Sequence, residues 1–251
     1  MTCQMASRNC EYCGKEVKPF EIQWLGRAKW FSGTCPCVAE RYKQEEEATE
    51  RYNKQRKLEN LFKQSRLGER FKNSTFDKYT PTDKTKPFSD LLINFCNDFK
   101  NKKNQSILMS SHPGTGKTLL ASCVVNKLVS KGISSIFIIV PDLLGQIRAT
   151  YNRSNNETED SIMAGLNECE LLVMDDIGAE NTTDWATEKL FNIINNRYIN
   201  CKSTIFTTNC SLGELKSKLG DRTFSRIYEM TEGNRLDMNG IEDFRLKRGA
   251  K

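Results

Sequence analysis

Ser110-Ser111-His112-Pro113-Gly114-Thr115-Gly116-Lys117-Thr118 follows the apolar run Ile107-Leu108-Met109 and precedes an amphipathic stretch. A strand, a glycine-rich turn and a helix in this order are typical of a phosphate-binding loop, whose backbone N–H groups and helix N-terminus attract an anion. In such a loop Lys117 reaches the β- and γ-phosphates, and the Thr118 hydroxyl holds Mg²⁺. We therefore predict that residues 111–118 bind a nucleoside triphosphate, with an ordinary glycine-rich turn as the alternative.

One position of this loop departs from the usual pattern. The pattern G-x-x-x-x-G-K-[ST] begins with glycine, and this chain has Ser111 there. Only a positive φ requires glycine at a turn position. We therefore expect Ser111 to keep a negative φ.

From residue 88 onward, helical patterns alternate with wholly apolar strands. The strands are predicted at 106–110, 136–140, 171–174 and 204–207, and the helices at 88–102, after the loop, and at 142–151, 158–167, 184–200 and 211–230. The last 20 residues are predicted to be irregular. Apolar strands separated by helices indicate a parallel sheet that is buried on both faces. The predicted fold is therefore α/β, with a parallel sheet flanked by helices.

Two acids and an amide follow the predicted strands that come after the loop. Asp175 and Asp176 end the apolar run 171–174, and Asn209 ends the run 204–207. Because the carboxyl ends of parallel strands share one edge, we expect all three beside the phosphates. Asp175 is predicted to hold Mg²⁺ with Thr118, Asp176 to act as the general base, and Asn209 to orient water or contact the γ-phosphate. The alternative is that these residues only cap the following turns.

Three arginines near the C-terminus are further candidates. Arg222 and Arg226 lie four residues apart and share a face if this segment is helical. One of them can act as an arginine finger for the ATP of a neighbouring subunit, and the alternative is a salt bridge within the chain, for example to Asp221 or Glu229. Arg245 is a later candidate for contact with the γ-phosphate.

Half of the ten cysteines lie within the first 37 residues. A tetrahedral Zn²⁺ site is predicted from two close pairs, with Cys3 as a spare ligand: Cys10, Cys13, Cys35 and Cys37. The one-residue gap of the second pair is tighter than usual, and unligated thiols are the alternative. The five later cysteines lie among apolar residues and are predicted to be small core residues.

Charge and composition suggest how the chain is divided and where it works. Residues 38–66 are densely charged and contain no glycine or proline, which predicts an exposed helix. We predict a cysteine-rich module at 1–40, a helical linker at 41–75 and the α/β domain at 76–251. The net charge of +6 permits contact with nucleic acid without requiring it. Without a long apolar run or an apolar leader, the expected location is the cytoplasm, with no membrane partner.

Several ordered motifs resemble the DnaC/DnaI family of AAA+ replicative-helicase loaders, and they are similar to the transposition ATPases of the IstB type. The motifs are Asp175-Asp176-Ile177-Gly178-Ala179-Glu180, Trp185 with the segment 188–198, and Thr207-Thr208-Asn209. The resemblance implies an AAA+ core with Asn209 as first sensor, Arg226 (or else Arg222) as finger and Arg245 as second sensor. It also implies ATP-dependent self-assembly, contact with single-stranded DNA and a hexameric replicative helicase as partner.

The same resemblance extends to the order of the parts, because loaders of the DnaI type have a zinc module, a linker helix and then the ATPase. It implies that the N-terminal part binds the helicase, although exposed aromatic and basic residues there can equally grip single-stranded DNA. The expected function is that of an ATP-hydrolysing helicase loader with ATP, Mg²⁺ and Zn²⁺. The alternatives are an ATPase that assists a transposase and an adaptor that binds nucleotide without hydrolysing it.

Overall fold

A computed structural model of the protein describes residues 6–24, 27–61, 68–101, 105–151 and 158–248. The chain divides into two compact units, residues 1–53 and residues 54–251. Among the helices in these ranges, none combines the length and the apolar character that a bilayer crossing needs.

The first unit contains two short antiparallel ribbons. Strand β1 (Arg8–Asn9) pairs with β2 (Glu16–Val17), and β3 (Phe20–Trp24) pairs with β4 (Arg27–Phe31). Helix α1, Pro36–Leu61, begins in this unit and ends in the second. Its charges pair along the helix, as between Arg51 and Glu47 at 3.1 Å. The helix predicted at 38–66 is therefore confirmed as far as residue 61, and residues 62–66 lie outside the described ranges.

The second unit is an α/β domain around a five-stranded parallel sheet. A 3₁₀ turn (Phe76–Lys78) and α2 (Lys86–Asp98) precede the first strand, and the strands are β5 (Ile107–Ser110), β6 (Ser135–Ile139), β7 (Leu171–Asp175), β8 (Ser203–Thr208) and β9 (Arg235–Asp237). The helices are α3 (Lys117–Ser130), α4 (Val140–Ala149), α5 (Glu159–Glu168), α6 (Asp184–Ile199), α7 (Leu212–Leu219), α8 (Asp221–Met230) and α9 (Phe244–Arg248). The strands are ordered β6-β7-β8-β5-β9, so β5 and β7 both flank β8.

Successive strand residues contribute to two hydrophobic clusters on opposite faces of the sheet, as the two-residue repeat of a strand requires. In β7, Leu172 and Met174 belong to one cluster, and Leu171 and Val173 belong to the other. All four side chains are fully buried. The predicted parallel sheet with both faces covered by helices is therefore confirmed.

Three details of the sequence-based prediction are wrong. The last 20 residues were expected to be irregular, yet they contain β9 and α9. The predicted helix 211–230 is two helices, because Gly220 between α7 and α8 has φ +78°. Cys201 is exposed rather than a core residue, whereas Cys96, Cys123 and Cys169 are buried.

Candidate nucleotide and metal sites

The loop between β5 and α3 has the backbone that its glycines predict. Gly114 and Gly116 have φ of +82° and +98°, in the left-handed region that favours glycine. Among the described non-glycine residues only Asp176 and Cys201 have positive φ, so the expectation that Ser111 keeps a negative φ is confirmed. The loop therefore keeps its shape without glycine at its first position.

The ammonium group of Lys117 lies inside this loop. Its Nζ donates to the carbonyl oxygens of Ser111 at 2.8 Å and His112 at 2.9 Å, and to the Ser111 hydroxyl at 3.0 Å. The same hydroxyl lies 2.5 Å from the Thr115 hydroxyl. Ser111 thus adds a polar contact to the lysine that a glycine would lack.

The carboxylate at the end of β7 meets the first turn of α3. Thr118 Oγ1 donates to both Asp175 oxygens, at 3.2 and 3.1 Å. Thr207 Oγ1 on β8 donates to Asp175 Oδ1 at 2.6 Å and accepts from the Asp176 N–H at 3.0 Å. A hydroxyl and a carboxylate held together in this way are hard oxygen ligands of the kind that Mg²⁺ prefers.

Asn209 joins the lysine to the second acid. Its Oδ1 accepts from Lys117 Nζ at 2.8 Å, and its Nδ2 donates to Asp176 Oδ1 at 2.5 Å. Asp176 itself has φ +60°, a conformation that aspartate tolerates better than most residues. The predicted convergence of three strand ends therefore occurs at one point of the sheet edge.

Burial opposes both charges at the centre of the site. It raises the pKa of Asp175, against the hydrogen bonds from Thr207 and Thr118. It lowers the pKa of Lys117, against the attraction of the Asp176 and Asp175 carboxylates. A bound phosphate would stabilise the charged form of Lys117, and a divalent cation would stabilise the charged form of Asp175. The site is therefore suited to an anion that binds together with a metal ion.

A cavity of about 1010 Å³ opens beside the loop. Pro113, Gly114, Gly116 and the residues 117–118 line it with Asp175, Asp176, Asn209 and Arg245. A second wall comes from the segment 70–80, which includes Phe71 and Tyr79. This segment spans the predicted border between the linker (41–75) and the α/β domain (76–251), and its mostly irregular backbone gives no periodic signal. An aromatic wall beside a phosphate loop offers a place for a nucleobase.

The C-terminal segment closes against the loop. The Phe244 N–H donates to the Gly114 carbonyl oxygen at 3.1 Å, and the Asp243 carboxylate lies against the Gly114 α-carbon, where any Cβ would overlap it. Arg245 follows directly and lines the cavity. The segment predicted to be irregular therefore forms part of the site.

Arg222 and Arg226 are not among the described residues that line this cavity. Arg226 Nε donates to Asn195 Oδ1 at 2.7 Å, and its guanidinium lies 4.9 Å from the centre of the Phe191 ring. Arg222 is exposed, and its carbonyl oxygen accepts from Arg226. In the described ranges, neither arginine forms the intrachain salt bridge of the alternative interpretation, whether to Asp221, to Glu229 or to another acid.

The four cysteines of the first unit form a compact cluster. The Sγ atoms of Cys10, Cys13, Cys35 and Cys37 all lie within 4.8 Å of one another. Sγ of Cys37 lies 3.4 Å from each of the other three. A tetrahedral zinc with Zn–S bonds of about 2.3 Å needs sulfurs about 3.8 Å apart, so the four residues fit this metal. Cys3, the predicted spare ligand, lies outside the described residues.

The protonation of the cluster also favours a cation. The backbone N–H groups of Cys13 and Tyr12 lower the pKa of Cys10 to about 6, and the neighbouring thiols, Cys35 first, raise the pKa of Cys37. The thiols therefore oppose one another's ionisation when no cation lies between them. Four thiolates at this spacing require a positive charge among them, which Zn²⁺ supplies.

Comparison with known proteins places these sites in a family context. Residues 41–228 match the family described as IstB-like ATP binding protein. The replicative helicase loader DnaC of Buchnera aphidicola subsp. Baizongia pistaciae is 31% identical over 182 residues, 72% of this chain and 74% of that protein. DnaC of Escherichia coli K12 is 27% identical over 181 residues, 72% of this chain and 73% of that protein. The matched family residues include the phosphate loop, Asp175, Asp176 and Asn209, and they exclude Arg245 and the cysteine cluster.

Solved structures agree with the fold. A crystal structure of the DnaC helicase loader has a TM-score of 0.61 and 30% identity, and the match covers 68% of this chain and 99% of that one. AMPPCP-bound DnaA from Aquifex aeolicus has a TM-score of 0.57 at 18% identity, over 72% of this chain and 54% of that one. The second match shows the fold alone, and together the two identify the second unit as an AAA+ P-loop fold.

Proposed function

The chain belongs to the IstB-like ATP-binding protein family, and from that premise we propose that it is an ATP-hydrolysing helicase loader. In this proposal it binds a hexameric replicative DNA helicase and delivers it onto single-stranded DNA. The relatives named replicative helicase loader support the biological role. The observation that carries the chemistry is the contact of the Thr118 hydroxyl and the Asp175 carboxylate at the end of the phosphate loop.

ATP binding in this proposal follows from the loop and the cavity. Lys117 exchanges the carbonyl oxygens that it contacts for β- and γ-phosphate oxygens, and the loop N–H groups surround the same anion. Thr118 and Asp175 hold Mg²⁺, which neutralises charge on the phosphates. The segment 70–80 contacts the base.

Hydrolysis in this proposal depends on Asp176 and Asn209. Asp176 accepts a proton from the attacking water, which makes it the general base. The Asn209 amide holds one oxygen of this carboxylate at 2.5 Å and so fixes its direction. Arg245 lines the same cavity and is proposed as the second sensor of the γ-phosphate.

Assembly in this proposal explains why Arg222 and Arg226 lie away from the cavity of their own chain. Arg226 is proposed as the finger that enters the ATP site of the next subunit, with Arg222 as the alternative. Such a finger contributes on the order of 10³-fold or more to the rate. The turnover is therefore expected to be slow in the monomer and faster in the assembled protein.

The division of labour is proposed as a zinc-binding, helicase-interacting module at 1–40, a linker at 41–75 and the ATPase domain at 76–251. The linker was predicted to be helical throughout, but α1 ends at Leu61 and residues 68–75 form turns and irregular backbone beside the nucleotide cavity. Four thiolates enclose Zn²⁺ in the module, and the metal stabilises a segment too small for a substantial core.

An ATPase assay with and without helicase and single-stranded DNA tests this function. Asp176→Ala should retain ATP binding and lose turnover, because the carboxylate acts on water rather than on the nucleotide. Lys117→Ala should weaken ATP binding and loading together. Asp90→Ala, an exposed acid on α2, is the matched control and should behave like the wild type. Wild-type turnover in Asp176→Ala would contradict the assignment of the base.

A second candidate function, an ATPase that assists a transposase, follows from the resemblance to transposition ATPases of the IstB type, and residues 41–228 match the family described as IstB-like ATP binding protein. Co-purification with a hexameric helicase on one side and with a transposase on the other separates the two. Capture of the transposase alone would replace the loader proposal while leaving the ATP site unchanged.

A further inference from the structure

The hairpin formed by β3 and β4 has two chemically different faces. Directly paired residues share a face, and the pairs alternate along the ribbon. On one face Phe20 lies opposite Phe31, and Ile22 lies opposite Lys29. Arg27 belongs to the next pair on the same face. We call these five residues the aromatic–cationic face.

The apolar side chains of this face are open to solvent. Phe20, Ile22 and Phe31 are 49%, 43% and 41% exposed. The two phenyl rings lie 6.0 Å apart between centroids with an angle of 24° between their planes, which is an offset-stacked arrangement. A small module rarely exposes three large apolar side chains together unless they contact a partner.

Positive charge accompanies these rings, and negative charge does not. Lys29 and Arg27 are exposed, and in the described ranges neither takes part in a salt bridge. Glu21 is the one acid within the two strands, and it pairs with Trp30 on the opposite face. The aromatic–cationic face is therefore purely cationic in charge.

We propose that the aromatic–cationic face binds single-stranded nucleic acid, with bases stacked on Phe20 and Phe31 and phosphates bound by Lys29 and Arg27. This inference rests on the proposed function in one respect, since a loader must contact the strand that it delivers. Every base offers a flat π-face and every nucleotide a phosphate, which matches rings and cations on one strip. Neighbouring pairs on this face lie about 6.8 Å apart, so the strip follows an extended backbone over roughly 14 Å.

An apolar protein segment fits this face less well. It would cover Lys29 and Arg27 without offering acceptors, and a buried cation without a partner is strongly unfavourable. A phosphate backbone supplies such acceptors at a regular spacing. The charge of the face therefore favours nucleic acid over an apolar helix.

The test measures binding of a fluorescein-labelled oligothymidine by the full-length chain, by fluorescence anisotropy over a range of salt concentrations. Phe31→Ala should weaken binding about tenfold with little change in salt dependence, because it removes stacking alone. Lys29→Ala should reduce the slope of log K against log salt by about 0.7, because it removes one phosphate contact. An oligouridine competitor distinguishes a preference for DNA from a general preference for single strands.

A matched control removes the same kinds of side chain elsewhere. Tyr42 and Lys43 are exposed on α1, and the double variant Y42A/K43A should bind as the wild type does. The zinc content and far-UV circular dichroism of all variants should remain unchanged, since the substituted side chains are exposed.

The resemblance to helicase loaders implies contact with single-stranded DNA without locating it in the chain, so a second measurement locates the contact. Photocrosslinking with an oligothymidine that carries 5-iodouracil should label peptides containing Phe20 or Phe31. Absence of these peptides, or wild-type affinity and salt slope in F31A/K29A, would overturn the inference. If that variant loses the helicase and retains DNA, the face is a protein-docking surface, and the proposed function survives while this inference does not.

Discussion

Asn209→Ala tests the central contact of the nucleotide site. The Asn209 side chain accepts from Lys117 and donates to Asp176, so it links the loop to the proposed base. Alanine removes both contacts without adding volume or charge. We expect turnover to fall while ATP affinity changes little.

The expected size of the effect follows from the partners that remain. Lys117 keeps three other acceptors, two on Ser111 and one on His112, so its position should change little. The Asp176 side chain loses its donor at 2.5 Å. A hydrogen bond to a charged group contributes about 1.5–3 kcal/mol, and this corresponds to a 10- to 150-fold fall in rate, roughly, if the contact persists in the transition state.

One further variant separates the two contacts of Asn209, and a second variant is the control. Asn209→Asp keeps an oxygen for Lys117 and places a second carboxylate against Asp176, so it should also lose turnover. Asn239→Ala, at an exposed position after β9, serves as the control and should behave like the wild type. Single-turnover hydrolysis with helicase and single-stranded DNA measures the rate, and a fluorescent ATP analogue measures affinity.

The two readouts can refute the reasoning separately. Wild-type hydrolysis by Asn209→Ala would show that Asp176 does not need this donor. A large loss of ATP affinity with an unchanged rate would assign Asn209 to binding rather than to hydrolysis. Full activity of Asn209→Asp would leave the contact with Lys117 as the important one.

Three other predictions concern the loop, the core and the metal. Gly114→Ala should weaken binding of a fluorescent ATP analogue about tenfold, because φ at this position is +82° and the new Cβ would overlap Asp243. The control Gly213→Ala on α7, where the space around the new Cβ is open, should bind the analogue as the wild type does. Arg197→Met should lower the free energy of unfolding, measured in urea, by about 3–5 kcal/mol. The buried guanidinium donates to the carbonyl oxygens of residues 166 and 203 at 2.5 Å, and both oxygens would lose this donor. An unchanged unfolding midpoint would contradict this prediction. Elemental analysis should find one zinc per chain in the wild type. The variant Cys13→Ser should contain less zinc, whereas the control Cys201→Ser, at an exposed position outside the cluster, should contain as much as the wild type. A wild-type protein without zinc would refute the cluster as a metal site.

The phosphate loop and the two acids could be predicted because local sequence decides them. Gly114 and Gly116 occupy backbone positions that other residues adopt with strain, and Asp175 ends a strand that is apolar throughout. Each signal lies within ten residues. The convergence of the loop and the acids at one edge then follows from the parallel arrangement of the strands, which the alternation of apolar strands and helices already predicts.

Apart from Arg245, the C-terminal contribution could not be predicted, because it depends on contacts between distant residues. Strand β9 has three residues, of which Leu236 alone is buried, and it pairs with β5 more than 120 positions earlier. Phe244 forms its bond with Gly114 over a similar separation. A three-residue strand carries no period that distinguishes it from a loop. The segment 70–80 was missed for the same reason, since its backbone is mostly irregular.

Strand β8 explains why the separate signals form one site. It lies between β5 and β7, so Thr207 reaches Asp175 and the backbone of Asp176, and Asn209 reaches Lys117. The chain order hides this role, because β8 follows both neighbours in sequence. Only Cys210 separates Asn209 from the side-chain cap that begins α7. A shift of the Asn209 backbone on phosphate binding would therefore act directly on this cap, and we expect the start of α7 to respond to nucleotide.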